Sequence, residues 1–264
     1  MRSNFKQEVK QDYAWDARLK YHQNILNELG IQLNSDSKIL DFGCGAGDTV
    51  YHYRKHNFQA FGVDIKDYYR NLEKTCYQEN LINPTTQIFH TIDTNNYRIP
   101  FEDNTFDFVF SEQVLEHVQN LAETLEEIKR ILKPGGCSLH VFPPKYSLIE
   151  GHVYVPFAGI FQGYYYLLFW SFLGIRNEYQ KGLNFKKVAE INFEYLKTST
   201  NYPSPGEIKK YFSNYFKDIV FVDKLLIEHH PKAPHYLKLI TKIFPFIPFL
   251  IRTFYTRAIF VRKA

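Results

Sequence analysis

Residues 38–48, K-I-L-D-F-G-C-G-A-G-D, constrain the fold more than any other stretch of the chain. Lys38-Ile39-Leu40 leads into a short apolar run without polar alternation, the pattern of a parallel strand covered on both faces. Asp41 closes the strand, and Gly43, Gly45 and Gly47 follow at every second position. Glycines so spaced let the backbone turn tightly and let a ligand lie against the main chain, because no Cβ stands in the way. Thr49 to His56 then reads as a helix whose first N–H groups face whatever occupies the loop. Strand, glycine loop and helix N-terminus in that order make a nucleotide-type binding site.

The spacing selects among nucleotides. A dinucleotide fingerprint is G-x-G-x-x-G. Gly43 and Gly45 fit it, but Asp48 stands where the third glycine belongs, and its carboxylate would repel a pyrophosphate. No G-x-x-x-x-G-K-[ST] occurs, which removes a P-loop. The residues resemble motif I of the class I S-adenosylmethionine (SAM)-dependent methyltransferases, D-x-G-C-G-x-G after the first strand. SAM suits an acidic loop: it carries a sulfonium and an ammonium, and its carboxylate can use the helix end. The resemblance implies SAM as cofactor and S-adenosylhomocysteine as product, with Asp41, Gly43, Gly45 and Gly47 against the methionine end.

The resemblance extends in order to Phe142. Ala60 to Asp64 reads as a second strand ending on an acid, and in a doubly wound sheet such an acid can accept both ribose hydroxyls. Asp93 follows a third strand, Gln87 to Ile92, and the family places an acid there near the adenine amino group, with Thr94 or Asn95 able to share the role. The interval from Asp93 to Ile99-Pro100-Phe101 is longer than the family's usual one. Phe106 to Ser111 reads as a fourth strand and resembles motif IV, which puts Ser111 beside the methionine amine. Leu121, Leu125, Ile128 and Leu132 have helical spacing, stopped by Lys133-Pro134-Gly135-Gly136. L-K-P-G-G before a fifth strand, Cys137 to Phe142, is similar to the family's type 11 group.

Composition narrows the partners. The 264 residues suit a single domain over 1–264, and a net charge of +4 with both signs scattered gives no footprint for nucleic acid. Cys44, Cys76 and Cys137 form no C-x-x-C pair, so neither a disulfide framework nor a thiolate zinc site is expected. The first ten residues hold no apolar h-region, and with reduced cysteines this leads to a cytoplasmic expectation. The oligomeric state is not written in the sequence.

Beyond Pro143-Pro144 the character changes, and much of the 17% aromatic content lies here. Residues 156–175 carry no charge and include Tyr164-Tyr165-Tyr166, Phe169, Trp170 and Phe172. Their Gly, Pro, Tyr and Gln content argues against a membrane span, so 144–203 is expected to be an inserted aromatic cap over the active site. Ser204 to Tyr215 reads as a helix opened by Ser-Pro. Ile219 to Val222 and Ala258 to Val261 would be the last strands. Between them, 224–256 is an apolar helical insertion whose 239–255 part, like 156–175, has the makings of a surface that touches a membrane. The expected fold is α/β: a Rossmann-like, seven-stranded, mostly parallel sheet with helices on both faces.

Methyl transfer from a sulfonium is an in-line displacement, so catalysis rests on holding donor and acceptor collinear. A hydroxyl acceptor also needs a general base. The candidates are His152, in E-G-H-V-Y-V-P-F just after the fifth strand, and His117, in V-L-E-H-V, which in the resembling group often orients its neighbours. Some family members use E-x-x-E-H plus a distant His to hold a divalent ion. Glu116, His117 and His152 match, but Gln113 replaces the first acid, and with one carboxylate fewer no metal is expected. The reading is a SAM-dependent methyltransferase acting on a small or lipid-linked acceptor, at the oxygen of a sugar hydroxyl or quinone-like ring. The alternative is a non-catalytic protein of the same fold serving as a scaffold at a membrane surface.

Overall fold

The computed structural model describes residues 16–83 and 85–264. The N-terminal ten residues, read above for a leader segment, lie outside them. A first helix, α1, covers 16–28 of the described residues. Its Leu19, His22, Ile25 and Leu26 recur at helical spacing and are buried.

Seven strands follow: β1 (Lys38–Phe42), β2 (Gln59–Asp64), β3 (Phe89–Thr91), β4 (Phe106–Glu112), β5 (Leu132–Phe142), β6 (Asp218–Phe221) and β7 (Arg257–Arg262). They form one sheet in the order β3-β2-β1-β4-β5-β7-β6. The first five are parallel, and β7 runs antiparallel between β5 and β6. The order reverses between β1 and β4, so the crevice outside their carboxyl ends is where an open α/β sheet binds ligands. Helices α2 (Asp48–Lys55), α3 (Arg70–Gln78), α4 (Leu121–Ile131) and α7 (Pro205–Tyr215) link the strands. With α1, helices α2 and α3 supply the apolar cluster on one face of the sheet. The opposite cluster is built from α4 and α7. Burial on both faces explains why the parallel strands read as unbroken apolar runs.

Two boundaries differ from the sequence reading. The third strand is shorter than Gln87 to Ile92. L-K-P-G-G is more than a helix stop, because β5 already begins at Leu132. Gly135, at φ +77°, donates to the Lys263 carbonyl and Gly136 accepts from the Lys263 N–H, so pairing with the C-terminal strand draws this turn into the sheet.

Between β5 and α7 the chain forms α5 (Tyr164–Phe172) and α6 (Phe185–Ser199). These pack around their own small core of Val153, Val155, Ala158, Leu167 and Leu196. Between β6 and β7 stand three short helices: α8 (Asp223–His229), α9 (His235–Ile243) and α10 (Ile247–Phe254). No helix among the described residues is long and apolar enough to cross a membrane.

Candidate active site

The crevice at the carboxyl ends of β1, β2 and β4 is shaped by its glycines. Gly43, Gly45 and Gly47 all have positive φ, at +81°, +53° and +90°. A Cβ on Gly43 would lie 2.4 Å from Val114, and one on Gly47 would lie 2.6 Å from the Phe89 ring. At Gly45 it would meet nothing within 4 Å, so the middle of the loop presents bare main chain to open space. Asp64 locks the loop from β2: its Oδ2 accepts from the Gly45 N–H at 2.9 Å and its Oδ1 from the Lys66 N–H at 3.1 Å. A carboxylate offers about four lone-pair sites, which leaves Asp64 capacity for a ligand hydroxyl. Asp93 is exposed beyond β3 and caps a turn by accepting from the Asn95 N–H at 2.9 Å.

Asp41 is buried at the end of β1. Burial pushes its carboxyl up to about 8, with Glu112 and Asp64 adding to the rise and Arg18 and Thr49 opposing it. Glu112, the last residue of β4, lies on the same side. Its Oε1 pairs with His22 Nε2 at 2.8 Å, and Arg18 and Tyr21 also donate to its carboxylate. Burial alone would raise Glu112, but His22 and Arg18 hold it far below the usual carboxylate range. His22 is fixed in turn by the Tyr53 hydroxyl at 2.9 Å.

The Ser111 hydroxyl, expected beside the methionine amine, does not join this group of side chains. Successive strand residues point to opposite faces. Ser111 therefore turns toward α7, its hydroxyl 2.8 Å from Nδ1 of His140, whose ring lies against Phe212. Burial pushes His140 down to about 3, so the pair is a neutral core contact. The residue that reaches the crevice is its neighbour Glu112. The sequence reading missed it together with Arg18, Tyr21 and His22, whose roughly ninety-residue separation from Glu112 hides the cluster. The available signal was Arg18, Tyr21 and His22 falling on the same helix face as the apolar Leu19, Ile25 and Leu26.

A second cluster stands beyond the carboxyl ends of β4 and β5. A turn at Leu115–His117 places Glu116 and His117, and the loop after β5 brings in Glu150 and His152. The His117 and His152 rings lie 4.8 Å apart. His117 Nδ1 is 2.7 Å from the Ser199 carbonyl, which can only accept, so Nδ1 carries the proton and Nε2 is bare. His152 is oriented in the same way: Nδ1 donates to Glu150 Oε1 at 2.6 Å. Glu150 also accepts from the Tyr202 hydroxyl at 2.5 Å and from the main-chain N–H groups of His152 and Val153. The hydrogen bond to Glu150 raises the His152 pKa, while burial lowers that of His117. Two touching imidazoles are thus driven apart in basicity.

Glu116 is 1% exposed, and neither carboxylate oxygen has a hydrogen-bond partner among the described residues. Burial pushes it up to about 7. One donor atom each from Glu116, His117 and His152 lies within 4.8 Å of the others. Such a set can pass a proton or hold a divalent ion, its histidines already oriented through Nδ1. Beside it an open groove of about 590 Å³ is lined by Tyr164, Ile191, Phe193 and Tyr195 together with the polar Lys187, Glu190, Glu194, Thr198 and Ser199.

Residues 40–139 match the family model described as a methyltransferase domain. Over those residues the chain carries a SAM-dependent methyltransferase domain of the class I kind. An uncharacterized methyltransferase of Schizosaccharomyces pombe is 34% identical over 38% of this chain and 37% of its own length. Demethylmenaquinone methyltransferase of Staphylococcus saprophyticus is 28% identical over 76% of this chain and 77% of its own. The chain thus spans little more than a third of the yeast relative's length and about three quarters of the bacterial one's. A solved structure of phosphoethanolamine N-methyltransferase 2 from Haemonchus contortus, in complex with SAM, superposes with a TM-score of 0.50. It covers 90% of this chain and 51% of that one at 18% identity, a likeness of fold.

The crevice fits SAM. Bare main chain at Gly45 allows close approach, and Asp41 has two acids, Glu112 and Asp64, acting on it against the one cation Arg18. Asp41 in particular is a buried acid that a cation would stabilise in its ionised form.

Proposed function

We propose that this methyltransferase alkylates an oxygen of a small or lipid-linked acceptor, with His152 as general base. When bound, SAM supplies an electrophilic methyl group and a neutral thioether as leaving group. Asp41, the Gly43–Gly47 loop and Asp64 would hold it, with Arg18 for its carboxylate and Asp93 for its adenine. His152 Nε2 takes the hydroxyl proton as the oxygen lone pair displaces sulfur, and Glu150 stabilises the resulting imidazolium. The observation that carries this reading is the 2.6 Å bond from His152 to buried Glu150, which leaves Nε2 bare beside an aromatic groove. That groove, and a relative named for demethylmenaquinone, support a quinone-like ring over a sugar hydroxyl.

His152→Ala tests the proposal. Turnover should fall roughly 10²- to 10⁴-fold, while SAM affinity by calorimetry stays at the wild-type value. Unchanged turnover would remove the base. Because Glu150 raises the His152 pKa, activity should climb with pH through a midpoint above the ordinary histidine value.

The unpartnered Glu116 carboxylate favours a second reading, in which Glu116, His117 and His152 hold a divalent ion. Such an ion would lower the acceptor hydroxyl pKa, leaving His152 a ligand. Chelator treatment separates the two: activity lost with EDTA and restored by metal supports the ion, and activity indifferent to EDTA supports the base.

A further inference from the structure

We propose that the face formed by α9, α10 and the loop around Leu148 docks on an anionic lipid bilayer. Helices normally bury an apolar stripe, yet α10 buries no residue and α9 buries only Thr241. On α9, Tyr236, Leu239 and Ile243 share one face and are 65%, 54% and 60% exposed. On the following turn and α10, Phe246 and Phe249 are each 56% exposed. Leu148 donates its N–H to the Phe254 carbonyl at 3.1 Å, which joins the post-β5 loop to α10 and adds its own exposed side chain to the face. Nothing among the described residues covers this surface.

Charge selects the occupant. Between Glu228 and β7 the chain has no acid, but it has Lys232, Lys238, Lys242 and Arg252. Lys238 and Lys242 stand one turn apart on α9, where long stems can lie along the apolar face and carry their ammonium groups to lipid phosphates. Arg252 flanks the face, its guanidinium 4.3 Å from the Phe221 ring and 5.3 Å from that of Phe249. Helices of nine and eight residues reach about 14 Å against a hydrocarbon core of about 30 Å, so they lie on the surface. Ile149, next to Leu148 and 61% exposed, immediately precedes Glu150. Docking therefore brings the loop that carries His152 to the lipid boundary. The contact does not depend on which acceptor is methylated.

Flotation of the full chain with vesicles of phosphatidylcholine, with and without roughly 30% phosphatidylglycerol, tests the proposal. The protein should float with anionic vesicles and far less with neutral ones. Lys238→Glu/Lys242→Glu should weaken binding at least about twentyfold, from roughly fivefold per charge removed. Leu239→Glu/Phe249→Glu should abolish it with the SAM-induced thermal shift retained, which shows that the fold survives. Tyr165→Ser/Phe172→Ser, on the exposed face of α5, should float as wild type. No flotation, indifference to the α9–α10 variants, or loss with the α5 variant alone would overturn it. So would sedimentation as a dimer that Leu239→Glu/Phe249→Glu dissociates without any vesicle binding, because the face would then belong to a second copy.

Discussion

Glu112 and Glu116 are four residues apart, both largely buried, and in opposite electrostatic states. Glu112 ends a strand and receives His22, Arg18 and Tyr21 from α1, so its carboxylate is held ionised. Glu116 sits on the turn that follows, has no hydrogen-bond partner among the described residues, and is lifted to about 7. Burial penalises both charges alike; partners decide the outcome. The first carboxylate belongs to a finished scaffold at the SAM crevice. The second is left incomplete, as befits a group that must exchange a proton or take a ligand.

The largest test of this contrast is Glu112→Gln, which removes one side of a buried charge cluster and should cost about 3–5 kcal/mol at pH 7 by urea denaturation. Because the folded pKa is depressed, that stability is present above the unfolded value and is lost as pH falls. The gap to wild type should therefore narrow below about pH 4. A loss of only a few tenths of a kcal/mol would class Glu112 with surface ion pairs.

Glu116→Gln should act in the opposite direction. The folded state keeps its proton up to about pH 7, so wild-type stability declines as pH rises from the unfolded value to that point. In chelator at pH 8 the variant should gain on the order of 3 kcal/mol, at about 1.4 kcal/mol for each pH unit separating the unfolded and folded pKa values, and match wild type near pH 5. A destabilised variant at pH 8 would show that the Glu116 charge has a partner.

Asp41 sharpens the comparison from the ligand side. A cationic donor should expel its proton below pH 8, so SAM binding at pH 7 should release protons, read as buffer-dependent heats in calorimetry. Asp41→Asn should remove that release and weaken SAM roughly ten- to a hundredfold, the worth of a charged hydrogen bond.

The smallest effect concerns Gln113, which joins the two glutamates through a left-handed backbone at φ +57°. Relief of that strain in Gln113→Gly, less the added freedom of the unfolded chain, should give about 0.5 kcal/mol, or a Tm rise of ~1–2 °C. An unchanged or lower Tm would show that the Gln113 side chain itself does the holding.

The SAM crevice was largely legible in the sequence because its parts are local. Strand, glycines and helix start fall within some fifteen residues, and the glycine spacing reports a backbone path that other residues cannot follow. The place of Asp64 at the end of the adjacent strand was legible by the same logic. The facing of Ser111 was not legible, because a strand's register decides which of two neighbours faces the site, and a single residue of offset reverses the answer. Read alone, Phe106–Glu112 does not say which face α1 covers.

What the sequence determined, then, was the order of elements and the donor loop, since hydrophobic period and glycine conformations are properties of short segments. Tertiary structure alone decided the partners: α1 under Glu112, the Ser199 carbonyl behind His117, Tyr202 and Glu150 behind His152. Apart from Glu150, two residues from His152, those groups come from segments dozens of residues away. Their pKa values depend on burial and contact, which exist only once the chain has closed on itself.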